Sequence, residues 1–144
     1  MKKMLCIMSL LLAFSIQAQN QEVQKTIETF FEGFHAKDSI KIKSVCDEKM
    51  MLQSISETSK GNTLVSQKVP EFIKSIVGIP EKMTFQEKLL SYTIQADGAM
   101  AHAWTPYEFY VNGKLSHKGV NSFVLFKEKD DWKIVYIIDT RRKG

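Results

Sequence analysis

Residues 99–141 read AMAHAWTPYEFYVNGKLSHKGVNSFVLFKEKDDWKIVYIIDTR. Two turn signals cut this stretch into three extended runs. Asn112-Gly113 is a hairpin signal, because both residues tolerate positive φ. Lys129-Asp130-Asp131 is a second turn of charged residues. Between them the chain is rich in β-branched and aromatic residues, so strands are expected at Ala99–Val111, Leu115–Lys127 and Trp132–Arg141. Short connections make these three antiparallel neighbours. Pro106 interrupts the first run, which calls for a bulge or an edge position.

Upstream, Asp97-Gly98 turns a further strand, Lys88–Gln95, into this meander. The remainder reads mainly as helix. Val23, Ile27, Phe30, Phe31 and Phe34 fall on one face at a 3.6-residue period, which predicts a helix over Gln21–Ala36. Asp38 or Ser39 caps a short second helix with Ile40 and Val45 turned inward. A strand follows at Met50–Ile55, and Ser59-Lys60-Gly61-Asn62 turns into a weaker extended segment. Pro70 opens a third helix whose apolar face is Phe72, Ile73, Ile76 and Val77, stopped by Gly78 and Pro80. Two to three helices followed by a strongly curved antiparallel sheet define an α+β domain with its helices on one sheet face.

The chain has 144 residues, 44% of them hydrophobic and 25% charged, which suits one globular core and not a disordered or fibrous chain. Its N-terminus has the parts of a secretory signal: Lys2-Lys3, the apolar run Met4–Ile16, and small Ala18 before a cut. Residues 1–18 are therefore expected as a leader and 19–144 as a single domain, periplasmic or secreted, with no stable membrane anchor after cleavage. Setting aside Lys2 and Lys3 leaves 18 basic against 16 acidic residues. A balance of +2 gives no electrostatic case for nucleic acid. Only Cys46 remains beyond the leader, which excludes an internal disulfide. His35, His102 and His117 lack metal-ligand spacing, and no phosphate-binding loop or nucleophile elbow appears; no cofactor and no metal is expected.

Several motifs resemble the nuclear transport factor 2-like superfamily, a cone-shaped, cystatin-like α+β fold shared with ketosteroid isomerase, scytalone dehydratase and polyketide cyclases. They are Phe30, Phe31 and Phe34 in the first helix, Asp38 at the second, Ala101-His102-Ala103, Tyr107-Glu108-Phe109-Tyr110 and Gly113-Lys114. His117 with Gly119, Asn121 with Phe123, Trp132-Lys133-Ile134 and Asp139-Thr140-Arg141-Arg142 complete the set. Within the superfamily they are most similar to the bacterial branch named for lumazine binding. The resemblance implies a pocket on the concave side of the sheet and, commonly, a dimer through the convex side. The superfamily hosts enzymes, binders and scaffolds, so the fold alone names no activity.

Strict alternation along the last strand puts Trp132, Ile134, Tyr136, Ile138 and Thr140 on one face and Lys133, Val135, Ile137, Asp139 and Arg141 on the other. The apolar set is expected on the concave side. Asp139 and Arg141 then lie on the convex face, where they serve a homodimer contact. His117, Asn121 and Phe123 share the concave parity of their strand. Tyr107 and Phe109 are expected inside too, with the register around Pro106 open. The pocket candidates are thus His117, Asn121, Tyr107, Phe109, Phe123, Trp132, Tyr136, Phe30 and Phe34, an aromatic lining with few polar groups. His102 is expected as a surface strand residue.

On this parity no carboxylate points inward. Glu108 is placed on neither face, and Asp139 enters only if the last-strand faces are reversed. The leading expectation is an exported domain that binds a small apolar or aromatic molecule. The alternatives are a lyase or isomerase of the ketosteroid isomerase or dehydratase type, using His117 with a pocket carboxylate, and a dimeric interaction module with a vestigial cavity.

Overall fold

The computed structural model describes the backbone of residues 2–143 and the side chains of residues 17–143. The leader expected at 1–18 therefore lies outside the described side chains except at 17 and 18. Three helices, α1 (Lys2–Ala36), α2 (Ser39–Val45) and α3 (Val69–Val77), accompany seven strands. The strands are β1 (Cys46–Thr58), β2 (Gly61–Lys68), β3 (Phe85–Leu89), β4 (Thr93–Asp97), β5 (Met100–Val111), β6 (Lys114–Glu128) and β7 (Asp131–Lys143). All seven join one sheet in the order β2-β1-β7-β6-β5-β3, with β4 also on β5.

The expected α+β architecture is present, with two differences in the sheet. It is mixed, because β1 runs parallel to β7 while every other pairing is antiparallel. The single strand expected over Lys88–Gln95 is two strands, β3 and β4, placed end to end along β5. Pro106 sits at their junction, and its carbonyl accepts from Leu90 N at 2.8 Å. On that edge no strand needs the N–H that proline lacks, so Pro106 causes no register shift.

Val23, Ile27, Phe30, Phe31 and Phe34 are buried along α1, as their period predicts. The helix ends where Lys37 takes positive φ (55°) and Asp38 N donates to Gly33 O at 2.8 Å. Asp38 caps α2 by accepting from Ile40 N and Lys41 N. The inward residue of α2 is Ile42, fully buried, whereas Ile40 is 80% exposed. Gly33 explains the choice. A Cβ there would come within 3.0 Å of Ile42, so the missing side chain is the seat for Ile42. In α3, Phe72, Ile73 and Ile76 are buried as expected, but Val77 in the last turn is exposed.

The sheet wraps one core, in which α1 and α3 pack on the concave face. Phe30, Phe34 and Phe72 form a near-parallel stack with ring centroids 5.9–6.4 Å apart. Phe123 of β6 meets Phe30 edge-on at 6.2 Å. Such geometry adds to the area these rings bury.

Candidate functional site

Between the helices and the concave face lies a cavity of about 340 Å³. Its walls are mainly the rings of Phe30, Phe31, Phe34, Phe72, Phe109 and Phe123. Six of the remaining lining residues, Glu87, Tyr107, His117, Asn121, Asp139 and Arg141, form a polar group on β3, β5, β6 and β7.

Seven of the nine expected pocket residues line this cavity: His117, Asn121, Tyr107, Phe109, Phe123, Phe30 and Phe34. The other two do not. Trp132 is buried in the core beneath α1, where its Nε1 donates to Glu22 at 3.3 Å. It borders a separate groove with Lys25, Thr29 and Lys133. Tyr136 lies on the convex face, where its hydroxyl donates to the Gln53 side chain.

The reason for the second correction is a β-bulge. Leu125 pairs with Ile134 but Val124 pairs with Tyr136, so Val135 is an extra residue in β7. The pairing with β1 is irregular over the same part of β7, but there the extra residues belong to β1: Cys46 pairs with Ile134 and Met51 with Tyr136. One extra residue exchanges the faces beyond it. Trp132 and Ile134 point into the core before the bulge; Ile137 and Asp139 are buried after it. Asp139 and Arg141, expected on the convex face, line the cavity instead.

Asp139 organises the polar group. Its Oδ1 accepts from the Ser54 hydroxyl, and its Oδ2 accepts from Arg141 Nε at 2.8 Å. Ser54 in turn accepts from Arg141 Nη2 at 2.9 Å, closing a ring of three side chains. The single Tyr107 proton has Thr140 O at 2.9 Å and Asp139 Oδ2 at 3.2 Å within reach. Burial, reinforced by the Asp139 charge, raises the Tyr107 phenol well above its ordinary range, so it stays a donor at neutral pH.

Glu87 is the second inward carboxylate, and no sequence reading placed it there. It sits on β3 opposite Phe109. Its Oε1 accepts from Asn121 Nδ2 at 2.6 Å, the one hydrogen bond of this carboxylate among the described residues, and the residue lines the cavity. Burial pushes its carboxyl up to about 7; the Asn121 bond works against that rise and the Asp139 charge adds to it. The Glu87 backbone N–H donates to His35 Nε2 at 2.9 Å, which ties β3 to α1.

His117 stacks on Phe109 with centroids 4.7 Å apart and planes 20° apart, and meets Tyr107 edge-on at 5.9 Å. Burial, then the nearby Arg141 charge, lowers its pKa against the pull of Asp139, so the ring is neutral at pH 7. His102 lies on the opposite face, bonded to Ser122 at 2.9 Å. Glu108 also stays outside the cavity, accepting from Tyr110 at 2.7 Å. Among the described residues, no cluster of three metal-ligating side chains occurs, and no helix is long and apolar enough to cross a membrane.

No family model and no curated protein matches the chain. Solved structures do, at the level of fold. An NTF2-like protein from Cytophaga hutchinsonii ATCC 33406 is 10% identical over 86% of this chain and 98% of its own, with a TM-score of 0.70. A candidate dehydratase of the NTF2-like family from Streptomyces avermitilis is 14% identical over 89% of this chain and 99% of its own, TM-score 0.67. A protein of unknown function with a cystatin-like fold from Nostoc punctiforme PCC 73102 is 9% identical over 85% and 90%, TM-score 0.66. The chain therefore has the NTF2-like, cystatin-like fold.

Proposed function

We propose that this chain is an exported small-molecule-binding domain whose cavity takes a largely apolar or aromatic molecule. The observation that carries the reading is the cavity itself: about 340 Å³ beneath α1 and α3, walled by aromatic rings, with its polar side chains gathered on the sheet. The motifs quoted from β5, β6 and β7 favour the lumazine-binding branch of the superfamily; the ligand is not taken from that name. Export rests on Lys2-Lys3, the apolar Met4–Ile16 and Ala18.

A rim substitution tests the pocket. Ser75 of α3 lines the cavity yet is exposed. Ser75→Trp should plug the opening without disturbing the core. Calorimetric titration with 1-naphthalenemethanol should show affinity reduced at least about tenfold, roughly 1.4 kcal/mol, with an unchanged melting temperature. Equal affinity in both proteins would place the binding elsewhere.

A second reading has one specific support. Glu87 lines the cavity, has one carboxyl oxygen outside any hydrogen bond among the described residues, and has its pKa near neutrality, the character of a general base or acid. With the neutral His117 ring and the Tyr107 donor nearby, it suits proton transfer on a bound molecule. That is a lyase- or isomerase-type activity, and one fold neighbour is described as a candidate dehydratase. The convex face bears the exposed Met100, Trp104 and Phe126. We assign it to a homodimer, without the Asp139 and Arg141 contact. Light scattering at micromolar concentration should give twice the chain mass; a monomer there would rule the dimer out.

A further inference from the structure

We infer that the cavity selects an aryl or alicyclic molecule carrying one basic nitrogen, held as a cation by the Glu87 carboxylate, and that it disfavours anionic ligands. The inference rests on the pocket reading above and specifies the charge of what the pocket takes. Three charged side chains stand along the lining. They are two carboxylates, Glu87 and Asp139, and one guanidinium, Arg141.

Arg141 is already committed. Its Nε and Nη2 bond Asp139 and Ser54, so its charge is neutralised by an adjacent carboxylate in fixed geometry. Asp139 is likewise engaged by Ser54 and Arg141, with the Tyr107 hydroxyl at 3.2 Å. Removing this balanced pair from the count leaves Glu87 as the one uncompensated charge of the cavity. The Asp139 and Arg141 charges act on its carboxyl in opposite directions, and the other residues facing it supply no cation. Asn121 on β6 gives one neutral N–H, His117 on β6 is uncharged at neutral pH, and Tyr107 on β5 keeps its proton. His35 on α1 accepts from the Glu87 backbone and adds no charge to the carboxyl.

An ammonium or protonated heterocycle at Oε2 would supply the missing counter-charge. The ring faces of Phe30, Phe34, Phe72 and Phe109 would surround the remainder, and aromatic faces attract cations. A carboxylate or phosphate in the same place would meet Glu87 with no free cation to offset it.

Three naphthyl probes of similar size separate the possibilities: 1-naphthylmethylamine, 1-naphthalenemethanol and 1-naphthoate, titrated by calorimetry into the full chain. The amine should bind about tenfold or more tightly than the alcohol at pH 8, and the naphthoate more weakly than either. Glu87→Gln should bring amine and alcohol to within about twofold of each other. In the unmodified protein, amine affinity should rise about tenfold from pH 6 to pH 8, because the carboxyl titrates near 7 and only its charged form, present above that pH, attracts the cation. The alcohol should show no such rise, which keeps the test independent of how well the variant folds. Naphthoate binding as tightly as the amine, or an amine preference that survives Glu87→Gln, would overturn the inference alone. If none of the three binds, the pocket reading fails and the inference fails with it.

Discussion

Gly119→Ala should cost the protein about 3 kcal/mol or more, enough to leave a chain of this size partly unfolded at 37 °C. The expectation comes from space and not from backbone angle. A Cβ at Gly119 would lie 1.7 Å from Thr140 O, 2.7 Å from Thr140 C and 3.1 Å from a Tyr107 ring carbon. The neighbour that must yield is backbone of β7, so the strain cannot be relieved by turning a side chain. Gly119 lies opposite Tyr107 across β5 and β6. Its bare Cα is the slot through which the phenol reaches Thr140 O. Ala would therefore part β6 from β7 at the place where Asp139 and Arg141 enter the cavity. Urea denaturation followed by circular dichroism measures the loss. Gly113→Ala is the control. That glycine has φ +74° but nothing within 4 Å of a Cβ, so its cost is confined to about 1–2 kcal/mol of backbone strain. A Gly119→Ala loss below 1 kcal/mol would mean that the two strands are not this close.

Asp139→Ala is the second large effect, expected at about 3 kcal/mol of stability. Asp139 is 6% exposed and accepts from three different side chains. Removing it strands the Arg141 charge and the Ser54 hydroxyl proton, while Tyr107 keeps Thr140 O as its acceptor. The Arg141 side chain is 46% exposed and water recovers part of its solvation, which keeps the loss at the low end for a broken buried pair. Asp139→Asn should lose less, since the amide keeps the shape and one carbonyl acceptor. The same denaturation series checks both. A loss under 1 kcal/mol for Asp139→Ala would describe a solvated ion pair on the convex face, where strict alternation puts Asp139 and Arg141.

That contrast marks where the sequence was legible. The face of β6 could be read because alternation from His117 to Leu125 is unbroken and polar Lys118 and Ser122 mark the other side. β7 offered no such mark. Ile134-Val135-Tyr136-Ile137-Ile138 is apolar throughout, so an extra residue within it changes no local pattern while inverting everything after it. Strict alternation thereby puts Tyr136 in the cavity and Asp139 with Arg141 out of it. Glu87 had a usable signal. Phe85, Glu87 and Leu89 share one parity, and a charged residue between two large apolar ones on a strand face is turned toward the core side. Starting the strand at Lys88 hid that signal. The parallel pairing of β1 with β7 joins residues some 85 positions apart, such as Ser54 and Asp139, and no local pattern encodes it. Alternation turns Trp132 inward, where it is buried, but the cavity does not extend to its end of the sheet.

These particulars converge on one physical claim: the hollow between α1, α3 and the sheet is open to a guest of one or two rings. Titrating isotope-labelled protein with 1-naphthalenemethanol and following backbone amide resonances tests it most directly. The account predicts saturable shifts concentrated at Phe72, Tyr107, Asn121, Phe123 and Asp139. Shifts confined to the convex residues Trp104, Phe126 and Tyr136, or no shifts at millimolar probe, would contradict it.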